Sequence, residues 1–120
     1  MKKILIVDDE PNIVMTLEYA FKKKNFEVFI ARDGSEALQI LESNIVDVVL
    51  LDIMMPNVDG YQTLKQIKKD IKLSNTKVIF LTAKYKASDV EKGLKLGADK
   101  YITKPFSIKK IVSEVHELLN

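Results

Sequence analysis

The feature that most constrains the fold is a regular alternation, repeated five times, of short apolar runs with segments of helical periodicity. The apolar runs are rich in β-branched residues and too short for helices, so they predict strands. These predicted strands are 3–7, 27–31, 46–51, 77–81 and 100–103. Strands joined by single helices pair in parallel through crossover connections, so the pattern predicts a sheet covered by helices on both faces.

The character of each run suggests its place in the sheet. The first, third and fourth runs are almost continuously apolar, which favours central strands, whereas the second is more mixed and suits an edge. Among the few orders that fit, we expect 2-1-3-4-5, a flavodoxin-like doubly wound α/β fold with five parallel strands. The chain has 120 residues without a repeat or linker, so we expect one domain over 1–120.

The amino-acid composition excludes or disfavours several kinds of catalytic and metal-binding site. Cysteine is absent and His116 is the single histidine, which excludes a thiol nucleophile and disfavours Ser–His and poly-His sites. No apolar run approaches the ~20 residues of a membrane span, and the N-terminal segment lacks the layout of a signal peptide. We therefore expect a cytoplasmic protein that makes no membrane contact.

Polar residues follow four of the five predicted strands. Asp8 and Asp9 come after the first strand, Asp52 after the third, Thr82 after the fourth and Lys104 just beyond the fifth. Taken alone, each of these residues could have an ordinary structural role, such as a helix cap or a surface lysine. The carboxyl ends of parallel strands share one edge, where ligands bind at the point at which strand order reverses. The combination therefore predicts a single polar crevice.

The acids of this crevice suggest a metal and a phosphate. Neighbouring carboxylates repel each other, and either a proton or a cation must relieve the repulsion. A small set of oxygen ligands beside phosphate is typical of Mg²⁺. The first βα loop, 8–12, contains no glycine and is acidic, unlike the loops that cradle phosphate with bare backbone N–H groups. Phosphate would approach this loop only with a metal present.

Several segments carry a family resemblance that extends over the whole chain. They read ILIVDDE (4–10), LDIMMP (51–56) followed by DG (59–60), LTA (81–83), GAD (97–99) and YITKPF (101–106). The sequence resembles the response-regulator receiver domains of two-component signalling, of the chemotaxis-regulator type. The strand order above is that family's order, so it is not independent of the resemblance.

The resemblance implies roles for the acids of the crevice. Asp52 would be the phospho-acceptor. Mg²⁺ would be bound by the side chains of Asp9 and Asp52 and by the backbone carbonyl of Met54, while Asp8 would act through a metal-bound water. A carboxylate nucleophile that forms an acyl phosphate is an accepted covalent mechanism.

The resemblance also implies a switch. Lys104 would pair with Asp52 and then with a phosphoryl oxygen, and Thr82 would bond another phosphoryl oxygen. Tyr101 would be the aromatic residue whose rotamer follows the switch, and the Lys104–Pro105 bond would be cis. His116 would be structural.

The implied function is that of a signalling receiver rather than a turnover enzyme. Its phosphoryl donor would be a histidine kinase or a phosphotransfer protein. Its output would pass to a partner protein or a missing effector domain, without direct contact with nucleic acid. In family members with DNA-binding output, Asp often stands where this chain has Lys100. The charge pattern of the usual dimer is thus incomplete, and we expect a monomer or weak dimer.

Two other functions compete with this one. A Mg-dependent phosphohydrolase with an aspartate nucleophile would want a second acid two residues after Asp52, where this chain has Met54. A phosphate-independent interaction module would not need the set formed by Asp52, Thr82 and Lys104.

Charge is distributed unevenly along the chain. Residues 1–60 contain 11 acidic and 6 basic side chains, whereas residues 61–120 contain 6 acidic and 13 basic ones. The acidic excess lies largely in the crevice, at Asp8, Asp9, Glu10 and Asp52, with Asp59 nearby. The basic excess predicts a surface that prefers an acidic partner. Its lysines are Lys84, Lys86, Lys92, Lys95, Lys100, Lys109 and Lys110.

Two local features concern the backbone. The fourth helix, predicted over 87–96, looks the least amphipathic and contains Gly93, which costs about 1 kcal/mol against alanine, so we expect movement there. Asn57, in the loop after Pro56, is of a type that tolerates left-handed backbone.

Overall fold

A computed structural model describes residues 1–56 and 58–120, and within them five strands alternate with five α-helices. The strands are β1 (Lys3–Val7), β2 (Glu27–Ala31), β3 (Val48–Leu51), β4 (Lys77–Thr82) and β5 (Lys100–Thr103). The helices are α1 (Pro11–Lys23), α2 (Gly34–Ser43), α3 (Gly60–Lys69), α4 (Ala87–Lys95) and α5 (Ile108–Leu119), with a 3-10 turn at Ile71–Leu73. The prediction for Asn57 lies outside the described residues.

The strands form one parallel sheet in the order β2-β1-β3-β4-β5, which confirms the predicted order and the edge position of the second strand. Val7 at the end of β1 lies opposite Ala31 of β2 and Leu51 of β3, so these three strands end at the same level. β3 begins two residues later than predicted. Before it, a carboxylate oxygen of Asp47 accepts the backbone N–H of Lys3 at 2.7 Å.

Alternate strand residues serve two cores, because successive side chains of a strand point to opposite faces. Leu5 and Phe80 face the core closed by α2 and α3, whereas Ile4 and Ile79 face the core closed by α1 and α5. All four are fully buried. The near-continuous apolar runs of the central strands follow from this double coverage.

Two helices begin at aspartate caps. Asp33 accepts the backbone N–H of Glu36 at 2.9 Å, and Asp59 accepts that of Gln62 at 2.9 Å within a reciprocal capping box. Asp59 therefore serves the start of α3, and it is not among the acids gathered in the crevice.

α4 differs from the other helices in how little of it is buried. The expectation that it is the least amphipathic is wrong, since it separates polar from apolar residues more sharply than α1 and α2. Along this fully described helix, Gly93 alone is buried. A Cβ atom at Gly93 would lie 3.0 Å from ring carbons of both Phe80 and Tyr101, so the glycine permits a close approach to the sheet. No described helix is long and apolar enough to cross a membrane.

Candidate functional site

The predicted crevice forms at the carboxyl edge of β1 and β3. The backbone N–H of Asp8 donates to Ala31 O at 3.1 Å, and that of Asp52 donates to Val7 O at 3.0 Å, so both residues extend the sheet ladder. Asp8 is 2 % exposed and Asp52 is 3 % exposed. The pairing of two central strands thus places two nearly buried carboxylates side by side.

Lys104 brings a positive charge to these acids from the loop after β5. Its backbone N–H donates to Thr82 O at 2.8 Å, which anchors the loop to the end of β4. The Lys104 ammonium lies 2.8 Å from Glu10 Oε1, 2.9 Å from Asp8 Oδ2 and 3.4 Å from Asp52 Oδ2. The expected approach to Asp52 is therefore present, but the two shorter contacts are to other acids. The Lys104–Pro105 bond is cis, as predicted.

Burial and charge act on the ionisation of this cluster. Burial raises the pKa of Asp8 above its ordinary value, although hydrogen bonds from Glu10 and Lys104 oppose the rise. For Lys104, burial lowers the pKa, but hydrogen bonds to Glu10 and Asp8 and the charge of Asp52 outweigh it and raise the pKa above its ordinary range. The ammonium therefore stays charged at neutral pH and offsets part of the acidic charge.

The donors present are suitable for a hard divalent cation. Carboxylate oxygens of Asp8, Glu10 and Asp52 all lie within 4.8 Å of one another. Oxygen ligands in small number suit Mg²⁺, so the residues fit the predicted metal. Asp9, a predicted ligand, is exposed and lies outside this group, and Met54 donates its backbone N–H to Asp52 Oδ1 at 3.3 Å.

The sequence pattern assigns no role to Glu10, which directly follows Asp8 and Asp9. Its contact with Lys104 joins residues 94 positions apart. The only sequence signal for it was its position directly after the acidic pair.

The comparisons with known proteins bear on this crevice. A family model described as the response regulator receiver domain matches residues 4–116. The chain belongs to this family. The receiver domain thus has a place in two-component signalling, and its sheet order is that of the family's fold.

Solved structures agree with the assignment. The receiver domain of the Francisella response regulator 1452 is 37 % identical, with 99 % of this chain and 97 % of that chain covered and a TM-score of 0.91. A BeF3-activated DrrB receiver domain is 33 % identical, with 99 % and 97 % covered and a TM-score of 0.90. The chemotaxis response regulator CheY4 of Vibrio cholerae is 27 % identical, with 99 % of each chain covered and a TM-score of 0.93.

The two predicted switch residues of this receiver meet at Lys84. Thr82 is fully buried, and its hydroxyl oxygen accepts the backbone N–H of Lys84 at 3.3 Å. Tyr101 is partly buried, and its hydroxyl donates to the carbonyl oxygen of Lys84 at 2.9 Å. Burial, aided by nearby charges, raises the pKa of the Tyr101 hydroxyl, which keeps it a donor. The loop after β4 is therefore held by both residues.

An aromatic row, which the sequence did not predict, runs from α3 to β5 of the receiver. Tyr61, Phe80 and Tyr101 pack edge to face, with ring centroids 5.7 and 5.8 Å apart. The Tyr61 hydroxyl donates to the carbonyl oxygen of Asp89 at 3.3 Å, and the Lys92 ammonium lies 4.2 Å from the Tyr61 ring centroid. Tyr61 thus connects α3 to α4.

Three lysines of the predicted basic surface, Lys84, Lys95 and Lys100, form ion pairs with acids of the same receiver. Lys100 forms ion pairs with Glu114 and with Glu117 of α5, the latter at 2.7 Å. Lys95 pairs with Glu91 at 3.0 Å. The basic partner surface stays a prediction, with Lys100 already engaged within the domain. His116 is exposed on α5, away from the crevice.

Proposed function

We propose that this receiver domain, taken as residues 1–120, accepts a phosphoryl group on Asp52 in a Mg²⁺-dependent reaction and then changes its output face. The donor is a histidine kinase or a phosphotransfer protein. The observation that carries the proposal is the Lys104 ammonium, which lies 2.9 Å from Asp8 and 3.4 Å from Asp52 in one crevice. A nearly buried carboxylate beside a fixed cation suits attack on an anionic phosphoryl group.

The chemical step is a displacement at phosphorus. An Oδ atom of Asp52 forms a new O–P bond while the P–N bond of the donor phosphohistidine breaks. The electron pair of the broken bond goes to the leaving imidazole nitrogen. The Lys104 ammonium then balances charge on a phosphoryl oxygen, and the Thr82 hydroxyl donates to another.

The carboxylates have a second task. The side chains of Asp9 and Asp52 and the carbonyl of Met54 would hold Mg²⁺, with Asp8 acting through a bound water. When bound, the ion supplies charge neutralisation for the phosphoryl oxygens. Asp8 and Asp52 hold their positions through their ladder hydrogen bonds.

In the proposed switch, the backbone of Lys84 connects Thr82 to Tyr101. A Thr82 hydroxyl that turns to the phosphoryl group gives up the backbone N–H of Lys84, 3.3 Å away. Movement of that backbone removes the acceptor of the Tyr101 hydroxyl, so Tyr101 changes rotamer and the face formed by α4 and β5 changes with it. A partner protein or an effector domain reads that face in the cytoplasm, and the domain acts as a monomer or weak dimer. Neither nucleic acid nor membrane is contacted directly by this domain.

The rival functions are less well supported. A phosphohydrolase needs a base to activate water, and the side chain of Met54, exposed beside Asp52, cannot accept a proton. An interaction module independent of phosphate gives no reason for Lys104 to lie among three carboxylates.

Intact mass measurement tests the proposal. The protein is incubated with Mg²⁺ and a small acyl phosphate, alongside Asp52→Asn and the matched control Asp33→Asn. Asn caps a helix as well as Asp does, so the control should fold normally. We expect one phosphoryl adduct in wild type and control, none without Mg²⁺ and none in Asp52→Asn. Turnover of the donor without an adduct would favour the hydrolase, and no reaction would favour the interaction module.

A further inference from the structure

The backbone of Glu10 is held by hydrogen bonds, whereas its side chain does not cap the helix that follows. Its N–H donates to Asp8 Oδ1 at 2.9 Å, and its carbonyl oxygen accepts the N–H groups of Ile13 and Val14 at 3.1 Å. Glu10 is the N-cap residue of α1, yet its side chain makes no cap hydrogen bond. The carboxylate instead reaches Lys104, so its position is tied to the crevice rather than to the helix.

The Lys104 ammonium contacts Glu10 at the open side of the crevice. The side chain of Glu10 is 57 % exposed, whereas those of Asp8 and Asp52 are 3 % and 4 % exposed. The ammonium lies at charge-assisted hydrogen-bond distance from Glu10 and Asp8 but 0.6 Å farther from Asp52 than from Glu10 (3.4 against 2.8 Å). Of the three carboxylates, that of Asp52, the proposed nucleophile, thus lies farthest from the Lys104 ammonium.

We propose that Glu10 is a positioning residue that holds the Lys104 ammonium between itself and Asp8, away from Asp52. The proposal rests on the proposed function, because the consequence concerns a phosphoryl group on Asp52. That group needs the ammonium on one of its oxygens, so Lys104 must loosen its contact with Glu10 during transfer. Glu10 therefore competes with the phosphoryl group for the lysine and sets how readily Asp52 is modified.

The size of the effect follows from the exposure of the pair. The Glu10 side chain is 57 % exposed although that of Lys104 is 11 % exposed, so we take the value of a surface ion pair, about 0.2–1 kcal/mol, which corresponds to a rate factor of up to roughly fivefold. Glu10→Gln keeps the shape and removes the charge, and Glu10→Ala also removes the acceptor. Glu18→Gln is the matched control, because Glu18 pairs with Lys22 on α1 outside the crevice.

The first test is the position of the lysine. In crystals of Glu10→Gln grown without divalent cation, we expect the Lys104 Nζ to Asp52 Oδ2 distance to shorten from 3.4 Å to about 2.8 Å. Glu18→Gln should keep the wild-type position. A lysine that stays 3.4 Å from Asp52 in Glu10→Gln overturns the positioning role, whether or not the protein is phosphorylated.

The second test is the kinetic consequence. Adduct formation is followed at saturating Mg²⁺ over a range of acyl phosphate concentrations. We expect the maximal rate constant to rise roughly twofold to fivefold in Glu10→Gln and Glu10→Ala, and to stay unchanged in Glu18→Gln. A change confined to the half-saturating donor concentration would show simple charge repulsion and overturn the inference, as would a slower variant. Absence of any adduct in wild type would overturn the proposed function, while the crystal structure would still decide the position of Lys104.

Discussion

The ammonium of Lys104 lies closer to Asp8 than to Asp52, at 2.9 Å from Asp8 Oδ2 against 3.4 Å from Asp52 Oδ2. Asp8, the residue that follows β1, is therefore a closer partner of the Lys104 ammonium than Asp52 is. Even with this partner, burial holds the pKa of Asp8 above its ordinary value. The folded protein bears a free-energy cost for keeping Asp8 ionised.

Replacement of Asp8 by Asn should stabilise the fold at neutral pH. Because the pKa of Asp8 is higher in the folded protein than its ordinary value of 3.8, the folded state binds more protons between these two values. The contribution of Asp8 to the free energy of unfolding therefore falls as pH rises from 3.8 through the raised pKa, and it stays lower at higher pH. We expect Asp8→Asn to raise the free energy of unfolding at pH 7 without divalent cation, and to lose this gain below pH 3.8. Urea denaturation across pH measures it, and a less stable variant at pH 7 would contradict it.

Magnesium should stabilise the protein through Asp9 and Asp52. A ligand at ten times its Kd adds about 1.4 kcal/mol to the free energy of unfolding by mass action. We expect Asp52→Asn to abolish the Mg²⁺-dependent rise in Tm and Asp9→Asn to reduce it strongly, with a smaller effect in Glu10→Gln. Thermal denaturation with increasing Mg²⁺ measures this. If Glu10→Gln lost more of the rise than Asp9→Asn, the metal would instead be bound by the group of Asp8, Glu10 and Asp52.

Alanine at position 93 should destabilise α4 despite its higher helix propensity. Propensity alone favours Ala over Gly by about 1 kcal/mol. The new Cβ, however, would lie 3.0 Å from ring carbons of Phe80 and Tyr101, and overpacking of this kind costs about 1–3 kcal/mol. We expect a net loss of stability and faster amide exchange in α4 and β5. Ser88→Ala, on an exposed part of the same helix, is the control and should lose nothing. A stabilised Gly93→Ala would mean that α4 shifts without cost.

Removal of the Tyr61 hydroxyl should loosen α4 while leaving the aromatic row intact. Tyr61→Phe keeps the ring against Phe80 and deletes the donor to Asp89 O, a contact worth about 0.5–1.5 kcal/mol. We expect a small loss in global stability and a larger loss of amide protection in the first turns of α4. Tyr19→Phe, at an exposed position of α1, is the control. Equal exchange in both variants would show that the hydroxyl does not hold the helix.

The alternation of strands and helices and the main crevice could be predicted because their signals are local, whereas the strand order was not independent of the resemblance to receiver domains. Each apolar run ends at a polar residue, and parallel pairing brings those ends to one edge, so Asp8, Asp52, Thr82 and Lys104 were expected together. The contact of Lys104 with Asp52 follows from this rule, at 3.4 Å. The resemblance to receiver domains added the roles that spacing alone does not assign.

The contacts that could not be predicted are those between long side chains from distant elements. Glu10 and Lys104 are 94 residues apart, and Tyr61 and Asp89 are 28 apart. Lys100 meets Glu114 and Glu117 only because β5 lies beside α5. Such contacts depend on rotamers and on the exact approach of packed elements, which no periodicity encodes.

The sequence by itself determined the five-stranded parallel sheet and the edge at which the acids meet, because apolar runs and helical spacing are properties of neighbouring residues. The tertiary structure alone decided which acids share Lys104, and that Gly93 lies where a Cβ atom would come within 3.0 Å of ring carbons of Phe80 and Tyr101. The physical reason is that charge sharing and close packing depend on the distances between groups that are far apart in the chain, where differences of a few tenths of an ångström matter.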